Sequence, residues 1–389
     1  MGSVTASINL YALQHNLLRV KQLAPNGKVI SVIKANAYGH GVLPVANALS
    51  DSDCFAVARL DEACYLREQG IKKTIILLEG VYSIEEYRQC FELQLIPAVQ
   101  SIEQFHCLQE FYEQDLLLLS KKNNDLIFEY WLKLDTGMHR LGLSEDELTY
   151  LLAHETDFFS DAKSPCLLSG IMSHFSCADE VDNPINDAQR IQFNQQCHQL
   201  TAIPAIKHNP VTKSMANSAV ILSIPEAHFN WLRPGIMLYG VSPFESKKPM
   251  RTGLDEQLIP VMTLSSHLIA IKKLKKGDCI GYGASWCCPQ DMTIGVIAIG
   301  YGDGYPRHAP SGTPLLIHDT EVPLVGRVSM DMITIDLTPV IEKSIPLKIG
   351  DKAILWGDGL PIEYVSQKSG TIAYELLCQI TQRVSFKYE

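Results

Sequence analysis

Short apolar runs alternate with segments of helical periodicity over roughly the first 240 residues of the chain. Two of the segments are predicted to be helices. One begins at Asp61 and ends at Gly70. The other begins with the capping pair Asn183-Pro184, and its apolar positions are Ile185, Ala188, Ile191, Cys197 and Leu200. The β-rich runs predict strands at Val29–Ile33, Cys54–Ala58, Thr74–Leu78, Leu95–Val99, Tyr130–Leu134, Leu167–Met172, more weakly Ile206–Val211, and Trp231–Leu238.

Eight strands that alternate with helices are the count of a (β/α)8 barrel. A doubly wound open sheet has the same periodicity, but no GxGxxG motif follows the first strand, so the main reason to prefer it is missing. We therefore expect an N-terminal TIM barrel.

The pattern changes after about residue 245, where helical periodicity becomes scarce and short β-rich runs follow one another. These runs predict strands at Leu264–Ile271, Thr293–Ile299, Pro314–Ile317, Val322–Val325, Ile333–Leu337 and Lys352–Trp356. We expect a mainly β second domain, a small barrel or a sandwich. We place the barrel at residues 11–243 and the β domain at 244–389 together with residues 1–10.

Composition excludes several classes of protein. Lys and Arg total 33 against 43 Asp and Glu, a formal charge of −10, which argues against a nucleic-acid partner. No apolar stretch approaches the roughly 20 residues of a membrane span, and the N-terminus lacks the pattern of a signal peptide. The 11 cysteines contain no CxxC pair, so we expect free thiols in the cytoplasm rather than a disulfide or zinc framework.

The stretch with the clearest chemistry is Val32-Ile33-Lys34-Ala35-Asn36-Ala37-Tyr38-Gly39-His40-Gly41, where an apolar run ends in a lysine. Desolvating an ammonium group is costly, and a barrel carries its chemistry at the carboxyl ends of its strands. A lysine held there can have a lowered pKa and form a Schiff base. A surface lysine that merely starts a loop fits the spacing equally well.

This stretch resembles the pyridoxal-phosphate lysine motif of the alanine racemases. Similar blocks follow in the family's order over most of the chain: Lys133–Gly142, Ser173–Phe175, Asn217–Ala219, Arg233–Gly240, Gly281–Ala284, Ile299–Arg307, Gly326–Asp331 and Ala373–Glu375. The resemblance implies a (β/α)8 barrel with a C-terminal β domain, a homodimer with shared active sites, and interconversion of L- and D-alanine to supply D-alanine for peptidoglycan.

The resemblance also implies roles for single residues. Lys34 binds pyridoxal phosphate and acts as the base on one face of the substrate, and Tyr282 of the partner subunit acts on the other. His174 matches the residue that assists this tyrosine. Arg233 matches an arginine opposite the ring nitrogen, and because arginine only donates hydrogen bonds, that nitrogen stays unprotonated. A weaker electron sink limits side reactions such as transamination.

The remaining site residues come from the same matches. For the phosphate they are the hydroxyl groups of Tyr38, Ser218 and Tyr374 and the amides of Gly235 and Ile236. For the substrate, Arg140 matches the arginine that holds the carboxylate, and Met330 matches a residue that contacts the same carboxylate through its main chain. Lys133 matches a lysine that is carbamylated in some members. Tyr301 and Tyr305 match residues that narrow the entrance.

Two positions depart from the family pattern, and some alternatives stay open. Ser329 stands where many relatives have cysteine, and His139 where a glycine is common. The alternatives are a broader racemase acting on serine or lysine, a non-enzymatic pyridoxal-phosphate carrier and a cofactor-free aldolase-like barrel. A related decarboxylase is disfavoured because the chain lacks a triple-glycine phosphate loop.

Overall fold

A computed structural model describes residues 4–120, 126–160, 164–203, 206, 211–244 and 250–389. The chain divides into two compact units. The barrel unit comprises Leu17–Ala37 and Leu49–Gly235, and the β unit comprises Met1–Asn16, Tyr38–Ala48 and Ile236–Glu389. The proposed boundaries at residues 11, 243 and 244 stay a prediction.

The barrel unit is a closed barrel of parallel strands. After β1 (Thr5–Ile8), which belongs to the β unit, its strands are β2 (Lys28–Val32), β3 (Cys54–Val57), β4 (Ile75–Leu77), β5 (Leu95–Val99), β6 (Phe128–Lys133), β7 (Cys166–Met172), β8 (Thr212–Ser214) and β9 (Trp231–Leu232). Most of their residues are buried, because a parallel barrel is covered by helices outside and packed with side chains inside. The predicted TIM barrel is therefore confirmed.

Helices connect these strands, and polar caps mark several of their starts. Ser83 Oγ accepts a hydrogen bond from the Glu86 N–H group, and Asn183 Oδ1 accepts one from Ile185 ahead of Pro184. The helices up to residue 223 are Leu10–Leu23, Val42–Ala48, Leu60–Glu68, Ile84–Glu92, Ile102–Phe111, Leu117–Ser120, Glu145–His154, Thr156–Ser160, Pro184–Thr201 and Ser218–Ser223, with a π-helical turn at Tyr112–Leu116.

One strand prediction needs correction, and another falls largely outside the described residues. The run at Trp231–Leu238 is a strand only over Trp231–Leu232, and Ile236–Tyr239 forms a 3-10 turn, because Pro234 and Gly235 interrupt the extended chain. The run predicted at 206–211 lies largely outside the described residues. The seventh strand of the barrel is Thr212–Ser214, which begins directly after that run.

The β unit contains an eight-stranded sheet in the order β15-β14-β17-β10-β1-β18, with β13 paired to β10 and to β16. β1 runs antiparallel to β10 and parallel to β18, so the N-terminal strand lies inside this sheet. The strands are β10 (Met262–Leu274), β11 (Cys279–Ile280), β12 (Trp286–Cys287), β13 (Met292–Ile297), β14 (Pro314–Ile317), β15 (Thr320–Pro323), β16 (Ile333–Asp336), β17 (Lys352–Trp356) and β18 (Ser385–Tyr388). Helices Thr338–Glu342, Ile362–Ser369 and Ala373–Cys378 complete the unit.

The expectation of free thiols is wrong for one pair of cysteines. Cys279 and Cys287 are joined by a disulfide, while the other nine cysteines are free. The two residues lie directly opposite each other on β11 and β12, a proximity that spacing along the sequence does not reveal. Within the part of the chain that is described, no helix has the length and apolar character needed to cross a membrane.

Candidate active site

Lys34 begins a left-handed turn just beyond β2. Ala35, Asn36, Ala37 and Tyr38 have φ angles of 53°, 53°, 54° and 52°. Left-handed backbone costs an L-residue roughly 1–2 kcal/mol, so four in succession persist only where the surroundings fix them. Glu62 supplies one fixing contact, because its Oε1 accepts a hydrogen bond from the Ala35 N–H group at 2.6 Å. The chain thus holds Lys34 at the carboxyl end of a barrel strand.

Four cations of the barrel unit, Lys34, Lys133, Arg140 and Arg233, are close enough to His174 to act on its charge, and we call them the cation cluster. Lys133 ends β6 and is 9% exposed. Burial first, and then the positive charges of Arg233, Arg140 and Lys34, lower its pKa to about 8 against the opposing effect of Glu79. The mouth of the barrel is therefore electropositive and suited to anionic groups.

Arg233 follows β9 and is buried within this cluster. Its guanidinium group donates to Ser214 Oγ and to the Ser173 carbonyl oxygen, both at 2.6 Å, and approaches His174 Nδ1 at 3.4 Å. Burial lowers the pKa of Arg233 to about 10, so the side chain stays charged at neutral pH. Its position is thus set by two strong contacts from neighbouring barrel strands.

His174 is held in its neutral form. Burial, followed by the charges of Arg233, Arg140, Lys133 and Lys34, keeps the pKa of His174 well below its usual value. Because arginine can only donate, Nδ1 of His174 must accept from Arg233. The proton of the neutral ring then resides on Nε2, which is left as a donor.

The loop after β6 is organised by one carboxylate. Asp135 Oδ1 accepts hydrogen bonds from the N–H groups of Gly137, Met138 and His139, and Oδ2 lies 3.1 Å from His139 Nδ1. These bonds fix the chain immediately before Arg140. His139 has φ 54°, a left-handed conformation that suits glycine and explains why glycine is common at this position in the family.

Gln189 connects this loop to the one after β7, and sequence reasoning missed it. Its Nε2 donates to the His174 carbonyl oxygen at 3.2 Å and to Thr136 Oγ1 at 3.4 Å, and its Oε1 accepts from the Ser176 N–H group at 3.0 Å. The predicted apolar face of helix Pro184–Thr201 is wrong in part, because Ile185 and Ile191 are exposed. Asn186, Gln189 and Gln196 are buried instead, and the amides of Asn186 and Gln189 bond to the loop after β7.

Ser218 and Gly235, both predicted at the phosphate, are buried and contact each other. The Gly235 N–H group donates to Ser218 Oγ at 3.0 Å. Asn217 caps the short helix that begins at Ser218 by accepting from the Val220 N–H group. The Ser218 hydroxyl and the Gly235 amide therefore lie together, and Gly235 follows Arg233 by two residues in the chain.

Tyr38, Tyr374 and Ile236 belong to the β unit. The ring of Tyr38 stacks on Tyr239 at 4.7 Å and lies 6.0 Å from Tyr374, measured between ring centroids. Burial raises the pKa of Tyr38 well above its usual value, so its hydroxyl stays protonated and can donate. Ile236 opens the 3-10 turn that leads to Tyr239.

Tyr282 lies at the tip of the hairpin formed by β11 and β12 and is 70% exposed. Gly281 and Gly283, on either side, have φ of 71° and 74°. Since a side chain at either position would be strained, these glycines are what allow the tight turn that presents the tyrosine. The disulfide between Cys279 and Cys287 closes the base of the same hairpin.

Tyr301 and Met330 lie on two turns that are bonded together. The Gly302 N–H group donates to the Met330 carbonyl oxygen at 2.9 Å, and Tyr301 and Met330 are both exposed. Arg383, which sequence reasoning missed, forms an ion pair with each of the two turns. Its Nε atom lies 3.2 Å from Asp303 Oδ1, and its Nη2 atom lies 2.7 Å from Asp331 Oδ1.

Tyr305 does not match its predicted place at the entrance. It is 1% exposed and stacks on Trp356 at 6.1 Å between ring centroids, inside the β unit. Its neighbourhood of turn residues in the sequence gave no sign of this burial. Its role in this chain is therefore packing.

The fold is that of a two-unit α/β protein, in which a closed (β/α)8 barrel carries a lysine after its first strand and a mainly β unit belongs to the same chain. Residues 8–243 match the family model "Alanine racemase, N-terminal domain" and residues 261–388 match "Alanine racemase, C-terminal domain". The chain therefore belongs to the alanine racemase family.

Individual relatives agree over the whole length. The chain is 46% identical over 388 residues to the alanine racemase of Aeromonas hydrophila, with 100% of both covered, and 43% identical to the biosynthetic alanine racemase of Escherichia coli K12, with 100% of this chain and 99% of that one covered. Among solved structures, it is similar to the biosynthetic alanine racemase of Pseudomonas aeruginosa, with a TM-score of 0.87 and 37% identity over 100% of both chains.

The alanine racemase of Acinetobacter baumannii gives a TM-score of 0.86 at 38% identity, again over 100% of both chains. The chain is thus an enzyme of an isomerase family that depends on pyridoxal phosphate, and the family, fold class and enzyme class predicted from the sequence are confirmed. The alternative that the chain belongs to a family of non-enzymatic pyridoxal-phosphate carriers is therefore excluded.

Proposed function

We propose that this chain racemises alanine, with pyridoxal phosphate bound through Lys34. The observation that carries the proposal is the cation cluster, in which a buried, donor-only Arg233 lies among Lys34, Lys133 and Arg140. The cofactor brings a phosphate dianion and the substrate a carboxylate, and the donor set of the barrel mouth suits both. The residues present therefore fit the cofactor.

The residues that would hold the cofactor are those of the family match. The Lys34 amine would bind it covalently, and Arg233 would face the ring nitrogen, which accepts a hydrogen bond and stays unprotonated. Bound pyridoxal phosphate supplies the electron-withdrawing system that makes the Cα–H bond of an amino acid acidic. The phosphate would be held by Tyr38, Ser218, Tyr374 and the amides of Gly235 and Ile236.

Inverting a stereocentre requires a proton acceptor on one face and a donor on the other. We assign Lys34 Nζ to one face and the Tyr282 hydroxyl of the partner subunit to the other, which makes the enzyme a homodimer with shared sites. A free phenol has a pKa near 10, so Tyr282 needs a hydrogen-bond donor to act as a base at neutral pH. The Nε2–H group of His174, kept neutral by the cations around it, is suited to that task.

The substrate side of the proposal concerns size and charge. Arg140 would hold the substrate carboxylate with two parallel hydrogen bonds, the Met330 main chain would contact it from the partner subunit, and Tyr301 would restrict the entrance to a small side chain. Activity on alanine would supply D-alanine for peptidoglycan. A racemase that prefers serine or lysine is the alternative, and kcat/KM for the three amino acids separates the two.

The decisive experiment pairs two variants. Lys34→Ala and Tyr282→Phe should each abolish racemisation of alanine, while Tyr364→Phe, an exposed tyrosine outside the site, should keep the parental rate. Full activity in either of the first two would refute the two-base assignment.

Mixing the two inactive variants tests the shared site. If subunits exchange freely, half of the dimers are mixed and each mixed dimer carries one intact site, so about a quarter of the parental activity should return. A mixture that stays inactive after unfolding and joint refolding, with the dimers shown to be mixed, would contradict sites built from two subunits.

A further inference from the structure

The hairpin that carries Tyr282 is closed by the disulfide between Cys279 and Cys287. The two cysteines are cross-strand partners on β11 and β12, three residues before Tyr282 and five after it. Both are exposed, so small molecules in solution can reach the bond. Exposed disulfides are the ones that thiols reduce most readily.

In the described structure the strands of the hairpin do not pair with the main sheet. β11 and β12 have two residues each and form a sheet of their own, separate from the eight-stranded sheet. Two backbone bonds hold the base, from the Gly277 N–H group to the Cys288 carbonyl oxygen at 2.9 Å and from the Cys288 N–H group to the Asp278 carbonyl oxygen at 2.8 Å. A two-stranded hairpin is marginally stable in water by itself, so the covalent link adds to the order that these bonds and the packing of Ile280 provide.

The neighbouring Cys288 does not compete for the bond. Successive residues of a strand face opposite sides, and Cys288 is accordingly buried in an apolar cluster with Ile280, Met292, Ile294 and Val325. Burial raises the pKa of the Cys288 thiol, which keeps it protonated and unreactive. The exposed pair is therefore chemically separate from the third cysteine of the hairpin.

We propose that Cys279 and Cys287 form a thiol–disulfide exchange site whose redox state sets the activity of the enzyme through Tyr282. The proposal rests on the assignment of Tyr282 as a base. The co-reactant is a low-molecular-weight thiol: two thiol molecules RSH reduce the bond to two cysteine thiols and leave as one disulfide RSSR, and the reverse reaction restores it. Atoms, electrons and protons balance within this exchange.

Reduction removes the covalent link across the hairpin, while the backbone bonds at its base and the buried Ile280 and Cys288 remain. At the tip, a Cβ on Gly283 would come within 3.3 Å of the Arg327 guanidinium group, so this exposed side chain lies close to the turn that carries Tyr282. Misplacing a reacting group by an ångström can lower a rate by about a hundredfold. We expect reduction to lower kcat by roughly tenfold and to leave cofactor binding to the barrel unit unchanged.

The test equilibrates the holoenzyme in glutathione buffers of defined ratio. Counting thiols after denaturation without reductant should give nine in the oxidised protein and eleven in the reduced protein. The kcat for alanine should follow this transition, and amide hydrogen exchange of residues 277–288 should speed up on reduction. Eleven thiols in fully oxidised glutathione, or a kcat that does not change across the transition, would overturn the proposal.

Variants provide the controls. Cys279→Ser with Cys287→Ser should have the kcat of the reduced parent in every buffer, whereas Cys107→Ser, a free thiol of the barrel unit, should respond as the parent does. A double variant that still responds to glutathione would refute the site. Full activity of Tyr282→Phe would instead overturn the base assignment, and the thiol counts would still report whether the pair exchanges.

Discussion

Carbamylation of Lys133 is the prediction that the structure supports in most detail. Carbon dioxide reacts only with a neutral amine. With a pKa of about 8, about a tenth of Lys133 is neutral at pH 7, against about 0.04% for a lysine of pKa near 10.4. The lowered pKa corresponds to about 3 kcal/mol of unfavourable interaction in the charged form, which the reaction removes.

The product places a negative charge where a positive one had been. A carbamate at Lys133 turns repulsion by Arg233, Arg140 and Lys34 into attraction, and it gives Arg140 an acceptor that can orient its guanidinium group. We therefore expect the carbamate to form without an enzyme of its own. Loss of the carbamate should raise KM for alanine more than it lowers kcat, because Arg140 is assigned to substrate binding.

The assay is carbon NMR of the protein in 13C-labelled bicarbonate, recorded from pH 6 to pH 9. One carbamate signal should grow as the pH rises through about 8, where the Lys133 amine loses its proton. The signal should be missing in Lys133→Met and present in Lys28→Met, which removes an exposed lysine from the start of β2. No signal in the parent, or the same signal in Lys133→Met, would refute the reasoning.

Three further predictions concern stability and binding. Because the pKa of Lys133 is lower in the folded than in the unfolded protein, its charge destabilises the fold fully below pH 8, and this effect fades as the pH rises toward 10.5. In buffer free of carbon dioxide, Lys133→Met should therefore raise the free energy of unfolding by about 3 kcal/mol at pH 7 and by little at pH 10. Urea titrations at the two pH values will measure this difference. His139→Gly should stabilise the protein by about 1 kcal/mol in the same titration because glycine adopts φ 54° without strain, whereas His139→Ala should not. Arg383→Ala leaves the buried Asp303 carboxylate without its cation, and it should raise KM for alanine by about tenfold or more with a smaller change in kcat. Arg383→Lys should recover part of the loss. An unchanged KM in Arg383→Ala would contradict the positioning role of Arg383.

The sequence predicted the barrel because the periods of strands and helices differ clearly. A lysine at the end of an apolar run made Lys34 a candidate, and the resemblance to the alanine racemases supplied its role, which stays a prediction. It did not predict the left-handed turn that follows, since Ala35 and Ala37 favour no such conformation by themselves. Glu62 and Gln189 were missed for a related reason. Each bonds to main-chain groups that are distant along the chain, and only the closed barrel brings them together.

The helix at Pro184–Thr201 shows the same limit. Its cap was predictable from two adjacent residues, and Asn183 does accept the hydrogen bond from Ile185. The buried face of the helix was not predictable, because a prediction from the spacing of apolar residues assumes that the helix packs on an apolar surface. Here the helix meets polar loops, so Gln189 is buried and Ile191 is exposed.

The cation cluster has a consequence for the ligand-free protein. Like charges held close together raise its energy, and any small anion that settles among them lowers it, so ligand and fold stabilise each other by mass action. Common buffer anions such as sulfate then become weak competitors of the cofactor. Dilute salt should hasten capture of the true ligand, since the attraction reaches further into solution there.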